Sequence, residues 1–383
     1  MPAALVLATL LTLVAACRFP GSVRPTLKIG LVAPFEGRYR YVGYDVIYAV
    51  RLALREVNDA GGIDGRGVEL MAFDDWGDPG LAVDQVGKLN VDPQVLAALG
   101  HFRRETTLAS ADAYTDVGLP LLAATGLDMG FEPGGDDGAY VFGLTVDLER
   151  FATAVVRRAV TLAPDRQVVL ATEARAGARA EVFAAAAAEH GVTLTMVEAE
   201  HESWQQDVLG YYPEVLLCDL DPVAAGEVVA LLGEGGWRGE VLGGPALSAG
   251  DFPAVAGEAA EGALFLTPWP FPRDVAGGES FAELYRGVSN GIEPGPLALP
   301  AYEAARLLLG AVEDAVEGGE ATREGVTSAL EELEAKGRLA VFQLGGSGVP
   351  VRMPLYWYRI GDDGVPMLLG QEAASRTDPG ALE

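Results

Sequence analysis

The strongest constraint on the fold is a regular alternation of short, nearly continuous apolar runs with segments whose apolar residues recur at helical spacing. Strands are predicted at 27–33 (LKIGLVA), 68–75 (VELMAFDD), 95–100 (VLAALG) and 119–124 (LPLLAA), and helices at Asp45–Ala60, Pro79–Val91 and Glu105–Val117. Runs that are apolar at almost every position are typical of parallel strands buried on both faces. This order predicts an α/β fold with a parallel central sheet covered by helices.

The same pattern restarts after a loop rich in Gly and Asp at 132–138. The second stretch predicts helices at Asp147–Leu162, Arg175–His190 and Pro222–Gly233, and strands at 167–172, 193–199, 214–220, 240–244 and 262–268. Towards the C-terminus the sequence predicts helices at Glu279–Asn290, Leu299–Glu317 and Arg323–Lys336, followed by strand-like runs at 339–344, 351–360 and 365–370. The 383 residues therefore predict two α/β units, and residues 371–383 are expected to be a frayed tail.

The first residues predict an export signal. Residues 3–16 are an uncharged apolar run, shorter than the roughly 20 residues that a membrane-spanning helix needs. The run ends in Val14-Ala15-Ala16-Cys17, which resembles a bacterial lipobox, so we expect 1–16 to be a signal peptide and Cys17 to carry lipid. Residues 17–26 then form a tether to a membrane outside the cytoplasm. The alternative is a buried N-terminal helix that ends in a chance cysteine.

Charge and composition exclude several classes of partner. There are 55 acidic and 27 basic residues, which gives a net charge of −28. Such a surface repels phosphate backbones and anionic lipid, so neither a nucleic acid nor electrostatic membrane docking is expected. Two cysteines and three scattered histidines do not form a disulfide framework or a metal site, and neither a metal nor a cofactor is predicted.

Motifs for enzymatic chemistry are absent from the sequence. It contains no phosphate-binding G-x-x-x-x-G-K-[ST], no zinc-binding H-E-x-x-H and no G-x-S-x-G after a strand, and no G-x-G-x-x-G follows the first strand. No nucleophile and base stand out as a pair, so no catalytic residue is assigned. The sequence predicts a protein that is not an enzyme.

Five segments carry a family resemblance in combination. They are LKIGLVAPFEG at 27–37, VRLALREVNDAGGIDGRGVELMAFDDWGDPGLAV at 50–83, LGH at 99–101, VGLPLLAATG at 117–126 and AAEGALFLTPWP at 259–270. Together they resemble the type I periplasmic solute-binding proteins, most closely the leucine/isoleucine/valine-binding family of ABC importers.

The resemblance implies a two-lobed architecture. Two Rossmann-like (flavodoxin-like) lobes with parallel central sheets are joined by three crossovers, which we place near residues 144, 268 and 345. Lobe 1 is then expected to comprise 27–144 plus 269–340, and lobe 2 to comprise 145–268 plus 341–370. A ligand would bind in the cleft, and the lobes would close around it in the manner of a Venus flytrap.

The resemblance also implies a ligand site at the ends of particular strands. In lobe 1 the loop after the third strand carries Phe102, Arg103, Arg104, Glu105 and Thr106, with Arg104 at about the position of a small hydroxyl residue. After the fourth strand, the family offers a main-chain carbonyl and, two residues later, the hydroxyl of a Thr or Ser. Thr125 stands at the first of these positions, but Leu127 stands at the second. In lobe 2, Ala176 and Leu220 stand near two tyrosine positions, and Ala246 replaces the acidic residue that receives a ligand ammonium. The family's early disulfide is also missing, with Gly77 and Arg103 at about its two positions.

These departures weigh against an ordinary α-amino acid, because a buried zwitterion needs partners for both of its charges. One hypothesis is a ligand whose anion meets Arg103 or Arg104 and whose less polar body faces Leu220 and Ala246, since arginine suits bidentate carboxylate recognition. The alternative for the arginines is pairing with Glu105 or the acidic surface. A second hypothesis is that the cleft serves as a sensor or has no ligand.

Further polar and aromatic residues have two interpretations each. The stretch Arg38-Tyr39-Arg40-Tyr41 is expected at the cleft rim, either over the ligand or as a solvated loop. Trp204 and Trp269 could line the cleft, but we expect their side chains to pack in a core or at the hinge. Asp219 and Asp221 end a strand and can receive a cation, although Asp221 before Pro222 is equally a helix N-cap.

Taken together, the sequence predicts a lipid-anchored, extracytoplasmic solute-binding receptor that delivers an amino-acid-like or carboxylate-containing ligand to an ABC permease. The alternative is a ligand-sensing module that partners a signalling protein. A third interpretation, an exported hydrolase on an α/β fold, would need a paired nucleophile and base, which the sequence does not show.

Overall fold

The computed structural model describes residues 26–128, 140–146, 148–163, 167–173, 177–199, 202–319, 321–335 and 354–372. The expected signal peptide, Cys17 and the tether up to residue 25 lie outside the described residues. So do Ala176, the strand-like run at 339–344, the crossover near 345 and residues 373–383 of the expected tail.

Lobe 1 is built on a parallel sheet of five strands in the order β2-β1-β3-β4-β5. Its strands are β1 (Thr26–Ala33), β2 (Gly67–Asp74), β3 (Val95–Gly100), β4 (Leu121–Asp128) and β5 (Val141–Val146). The helices between these strands are α1 (Arg40–Asp59), α2 (Pro79–Asn90) and α3 (Arg104–Asp116). All six residues of β3 are buried, which explains why this strand reads as an unbroken apolar run.

Lobe 2 repeats the strand order of lobe 1 and adds two antiparallel strands at one edge, as β12-β11-β10-β9-β8-β6-β7. Its strands are β6 (Gln167–Thr172), β7 (Thr193–Glu198), β8 (Val215–Asp219), β9 (Glu240–Gly243), β10 (Leu264–Thr267), β11 (Tyr356–Ile360) and β12 (Pro366–Gln371). Its helices are α4 (Leu148–Leu162), α5 (Ala178–Glu189), α6 (Trp204–Tyr211), α7 (Pro222–Glu234) and α8 (Asp251–Ala256).

The last helices return to lobe 1. They are α9 (Gly278–Ser289), α10 (Ala298–Glu317) and α11 (Arg323–Ala335). Helix α10 packs on α1, where Val46, Val50 and Leu308 are fully buried in one core. Burying each such side chain contributes about 1.5–3 kcal/mol. Between the lobes, Trp269 packs into the core of lobe 1 and Phe271 into that of lobe 2.

The two-lobed α/β fold with parallel sheets agrees with the expected architecture. Strand β5 and helices α6 and α8 were not predicted from the sequence, and α1 begins at Arg40 where a start at Asp45 was expected. The expected tail began at residue 371, but Gln371 is the last residue of β12, and the side chain of Glu372 accepts a hydrogen bond from Nε1 of Trp357.

Within the described part of the chain, no helix has both the length and the apolar character that crossing a bilayer requires.

Candidate functional site

Each sheet has a point where the strand order reverses direction, and these points define the candidate site. In lobe 1 the reversal lies between β1 and β3, and in lobe 2 it lies between β6 and β8. Loops at the carboxyl ends of the strands flanking such a reversal form a crevice that binds ligands in open α/β sheets. The loops after β1 and β3 carry Arg38, Tyr39 and Arg103, and those after β6 and β8 carry Glu173 and Asp221.

Side chains from these loops meet across the two lobes. The Nη2 atom of Arg103 lies 3.1 Å from a carboxylate oxygen of Glu173, and the Tyr39 hydroxyl donates to the other oxygen of Glu173 at 3.1 Å. Nη1 of Arg38 lies 3.1 Å from the Asp221 carboxylate. The reversal points of both sheets therefore face each other.

Arg103 is the central cation of this cluster. Its guanidinium lies 3.4 Å from the centre of the Tyr39 ring, and its Nη2 also donates to Glu105 at 3.1 Å. Burial works against the charged guanidinium, but the negative charges of Glu173 and Glu105, together with Tyr39, raise the pKa of Arg103 above its usual range. Its Nε atom is buried and has no hydrogen-bond partner among the described residues.

Two tyrosines border the cluster. Burial raises the pKa of Tyr39, and the nearby Glu173 adds to the effect while Arg103 opposes it. Tyr41, in the first turn of α1, is half-buried, and burial likewise raises the pKa of its hydroxyl. Both phenols therefore stay neutral at physiological pH, and the hydroxyl hydrogen of Tyr39 is used in its hydrogen bond to Glu173.

The loop after β1 is held by specific backbone contacts. One carboxylate oxygen of Asp74 accepts hydrogen bonds from the amides of Phe35, at 2.8 Å, and Trp76, at 2.9 Å. At Gly43 of α1 a Cβ atom would lie 2.3 Å from the carbonyl oxygen of Pro34, so only glycine allows this close approach. Residues 37–39 form a short 3-10 turn that leads directly into α1. From this turn the side chains of Arg38 and Tyr39 reach carboxylates of lobe 2.

The loop after β3 is fixed by a buried polar network. Nδ1 of His101 lies 2.7 Å from Asp75, its Nε2 lies 3.2 Å from the Tyr114 hydroxyl, and His101 and Asp75 are fully buried. The second carboxylate oxygen of Asp75 accepts from the Gly77 amide at 2.9 Å. This network ties the loop after β2 to the loop before Arg103, so it sets the position of the guanidinium.

Gly77 and Arg103, where the family resemblance implied a lost disulfide, are neighbours in the structure. A Cβ atom at Gly77 would lie 2.5 Å from the Tyr39 ring and 3.2 Å from Cδ of Arg103. The space between the two loops is therefore filled by the stacked Tyr39 and Arg103 side chains.

The remaining residues proposed on the loop after β3 differ in their surroundings. Phe102 is buried in the core of lobe 1. Thr106 is fully buried, and its hydroxyl donates to the Arg103 carbonyl oxygen at 3.0 Å, so it stabilises the first turn of α3. Arg104 is half-buried as the first residue of α3, and Glu105 is exposed apart from its contact with Arg103.

The other proposed ligand residues lie on several elements. Thr125 and Leu127 belong to β4, where the backbone of Leu127 pairs with that of Thr145 on β5. Leu220 is buried in the core of lobe 2. Ala246 is half-buried in a short 3-10 turn at 245–248, at the carboxyl end of β9.

Glu173 is the functional residue that the sequence did not reveal. It follows β6 directly, so its position at a strand end was a usable signal. Its partner Arg103 is 70 residues away, and nothing in the local sequence pairs the two. Glu173 places a carboxylate at the end of β6, whereas Ala246 follows β9.

The two aspartates at the end of β8 and the two tryptophans have structural partners. Asp221 caps α7 by accepting from the amides of Val223 and Ala224, and Asp219 forms an ion pair with Arg179. Trp204 and Trp269 are buried in the cores of lobe 2 and lobe 1. Among the described residues, no three His, Cys, Asp or Glu side chains are grouped as they would be around a metal ion.

Comparison with known proteins identifies one family of binding proteins. A family model described as periplasmic binding protein matches residues 26–364. The chain is similar to the leucine-, isoleucine-, valine-, threonine- and alanine-binding protein of Pseudomonas aeruginosa. The two are 27% identical over 327 residues, which cover 80% of this chain and 82% of the relative.

Solved structures share the fold. A branched-chain amino acid transporter substrate-binding protein, LivJ of Streptococcus pneumoniae in complex with isoleucine, superimposes with a TM-score of 0.74 and 19% identity, covering 91% of this chain and 99% of LivJ. A solute-binding protein of an ABC transporter from R. palustris, in complex with benzoate, gives a TM-score of 0.70 and 18% identity, with coverage of 90% and 96%.

Proposed function

Because this chain belongs to the periplasmic binding protein family, in its leucine/isoleucine/valine-binding branch, we propose that it is an extracytoplasmic receptor that delivers a small carboxylate-containing solute to an ABC importer. The receptor binds and releases its ligand without chemical turnover. Its family implies a location outside the cytoplasm.

One observation carries the choice of ligand, namely the buried Nε of Arg103 that lacks a partner among the described residues. Leaving a buried donor unsatisfied costs about 1–3 kcal/mol, and more when the group is charged. Arg103 lies at the strand-order reversal of lobe 1 and already faces lobe 2. In this arrangement Nε is closed off from solvent, so a ligand carboxylate would reach it when the lobes part, and it would then supply the missing acceptor in a charge-assisted hydrogen bond.

The relatives support this class of ligand. The S. pneumoniae protein binds isoleucine and the R. palustris protein binds benzoate, and these two molecules have a carboxylate in common. We therefore propose that Arg103 takes the ligand carboxylate, with Tyr39 and Tyr41 beside it. Leu220 is buried in the core of lobe 2, so of the two apolar residues expected to face the ligand only the half-buried Ala246 favours an apolar ligand body.

A ligand-sensing module would use the same cleft, but no feature of the described residues favours it over transport. The cross-lobe site is compatible with a permease or a signalling protein as partner. A relative that matches 80% of the chain is named as a leucine-, isoleucine-, valine-, threonine- and alanine-binding protein. Transport is therefore the function we propose.

A lipid on Cys17 is proposed as the membrane anchor. Three acyl chains on one residue would exceed the two signals that stable anchoring requires. Mass spectrometry of the protein from its native membrane should find a lipid-modified Cys17 at the new N-terminus, and a Cys17→Ser variant should be released into the soluble fraction. An unmodified Cys17 in the membrane-bound protein would contradict this anchor.

The ligand proposal is tested by calorimetric titration with benzoate and isoleucine as probes. Arg103→Met keeps the aliphatic stem over Tyr39 and removes the charge, so we expect a loss of roughly 10- to 100-fold in affinity for any carboxylate that the protein binds. Arg286→Ala, which removes an arginine from the surface of lobe 1 where it pairs with Glu279 and Glu293, is the matched control and should bind normally. Equal affinities of Arg103→Met and the unaltered protein would exclude Arg103 as the anion site.

A further inference from the structure

Among the described residues, three ion pairs join the lobes at the cleft, and we propose that they form an electrostatic latch that holds the lobes closed before any ligand binds. The latch consists of Arg38–Asp221 at 3.1 Å, Arg40–Asp251 at 2.9 Å and Arg103–Glu173 at 3.1 Å. The latch is independent of the identity of the ligand, because all of its groups belong to the chain.

The three pairs have the same polarity. Every cation comes from lobe 1, at positions 38, 40 and 103, and every anion comes from lobe 2. In a chain with 27 basic residues against 55 acidic ones, three arginines on one face concentrate the rarer charge, although Glu105 of the same lobe also pairs with Arg103. Opposed surfaces of opposite sign attract each other before contact, and this attraction persists as long as the lobes lie within the screening length.

Some members of the latch are fixed in place by other contacts. Asp221 is only 2% exposed, and its second oxygen caps α7 through two backbone amides. Arg103 is held over Tyr39, whose hydroxyl donates to the same Glu173. A charge that is already ordered loses little side-chain entropy when it pairs, so these pairs are stronger than those between two free side chains.

Other members remain accessible to solvent, which makes the latch reversible. The side chains of Arg38 and Arg40 are 64% and 55% exposed. Exposed ion pairs shift an equilibrium by roughly 1.5- to 5-fold each, so three together favour the closed arrangement by on the order of 10-fold at low salt. Added salt should weaken this preference.

Small-angle X-ray scattering of the ligand-free protein tests the latch through its radius of gyration. In about 10 mM NaCl, where the screening length is roughly 30 Å, the scattering should match the closed structure, and in about 1 M NaCl, where it is roughly 3 Å, the radius should increase. A radius of gyration that does not change with salt would overturn the latch. Arg286→Ala should behave like the unaltered protein at every salt concentration.

A charge swap separates the latch from a simple folding defect. Arg40→Asp places two acidic side chains opposite each other while the other two pairs remain, so it should shift the radius of gyration of the ligand-free protein at low salt part of the way towards its high-salt value. Arg40→Asp combined with Asp251→Arg restores an opposite-charge pair in reversed order and should close it again. If Arg40→Asp leaves the protein closed, or if the double variant stays as open as the single one, the pairs do not hold the lobes together. Neither result depends on whether a carboxylate ligand is found.

Discussion

The buried pair of Asp75 and His101 should be one of the largest single contributions to the stability of lobe 1. Both side chains are fully buried and 2.7 Å apart, and His101 also contacts the Tyr114 hydroxyl at 3.2 Å. His101→Phe keeps a ring of similar size and leaves the carboxyl group of Asp75 without this partner. Leaving a buried polar group without its hydrogen-bond partner costs about 1–3 kcal/mol, and more when the group is charged. Because the Gly77 amide still donates to Asp75, we expect about 3 kcal/mol.

Urea denaturation measures this change as a free energy of unfolding. His190→Phe is the matched control, since His190 is only half-buried and its Nδ1 contacts the carbonyl oxygen of Ala186 one helical turn away. We expect this control to cost less than about 1 kcal/mol. The reasoning is refuted if His101→Phe is no more destabilising than His190→Phe.

Two further predictions concern stability. Burial raises the pKa of Glu303 on α10 to about 7 from 4.5. The folded state therefore binds this proton more tightly than the unfolded chain does. The free energy of unfolding should fall by about 1–2 kcal/mol as the pH rises from roughly 4.5 to 7. Denaturation across this range should show the decline, and Glu303→Gln should make it shallower without removing it, because burial also raises the pKa of Asp45 to about 7. An equally steep decline in that variant would contradict the assignment. Gly100→Ala should destabilise by about 2 kcal/mol or more, because φ is +140° and a Cβ would lie 2.2 Å from the carbonyl oxygen of Val32. Its control, Gly87→Ala within α2, where a Cβ would meet no other atom within 4 Å, should be neutral or stabilising by the same assay.

The strands of the two sheets were predictable because burial on both faces leaves a direct trace in the sequence. Strand β3 is apolar at every position except its terminal glycine, and β8 is similar. Strand β5 was missed because it follows a Gly- and Asp-rich loop and carries Gly143 and Thr145 among its apolar residues. Helix α6 has only eight residues, which is too short to show a helical period clearly.

The candidate site was only partly predictable for a different reason. The position of Arg103 at a strand end could be read from the sequence, since the carboxyl ends of parallel strands bind ligands. Its pairing with Glu173 could not be read, because it depends on how two separately folded lobes face each other. The same holds for Arg38 and Asp221, which are 183 residues apart. Cross-lobe contacts are set by hinge geometry, and hinge geometry leaves no local pattern.

The central claim is that Arg103 receives the carboxylate of the ligand, and its Nε–H group is the atom that tests it most directly. Nuclear magnetic resonance can assign the Nε–H signal of Arg103 as the one that disappears in Arg103→Lys. On saturation with a carboxylate probe that binds by calorimetry, this signal should shift and its exchange with water should slow. A probe that binds while the Arg103 Nε–H signal stays unchanged would contradict the account.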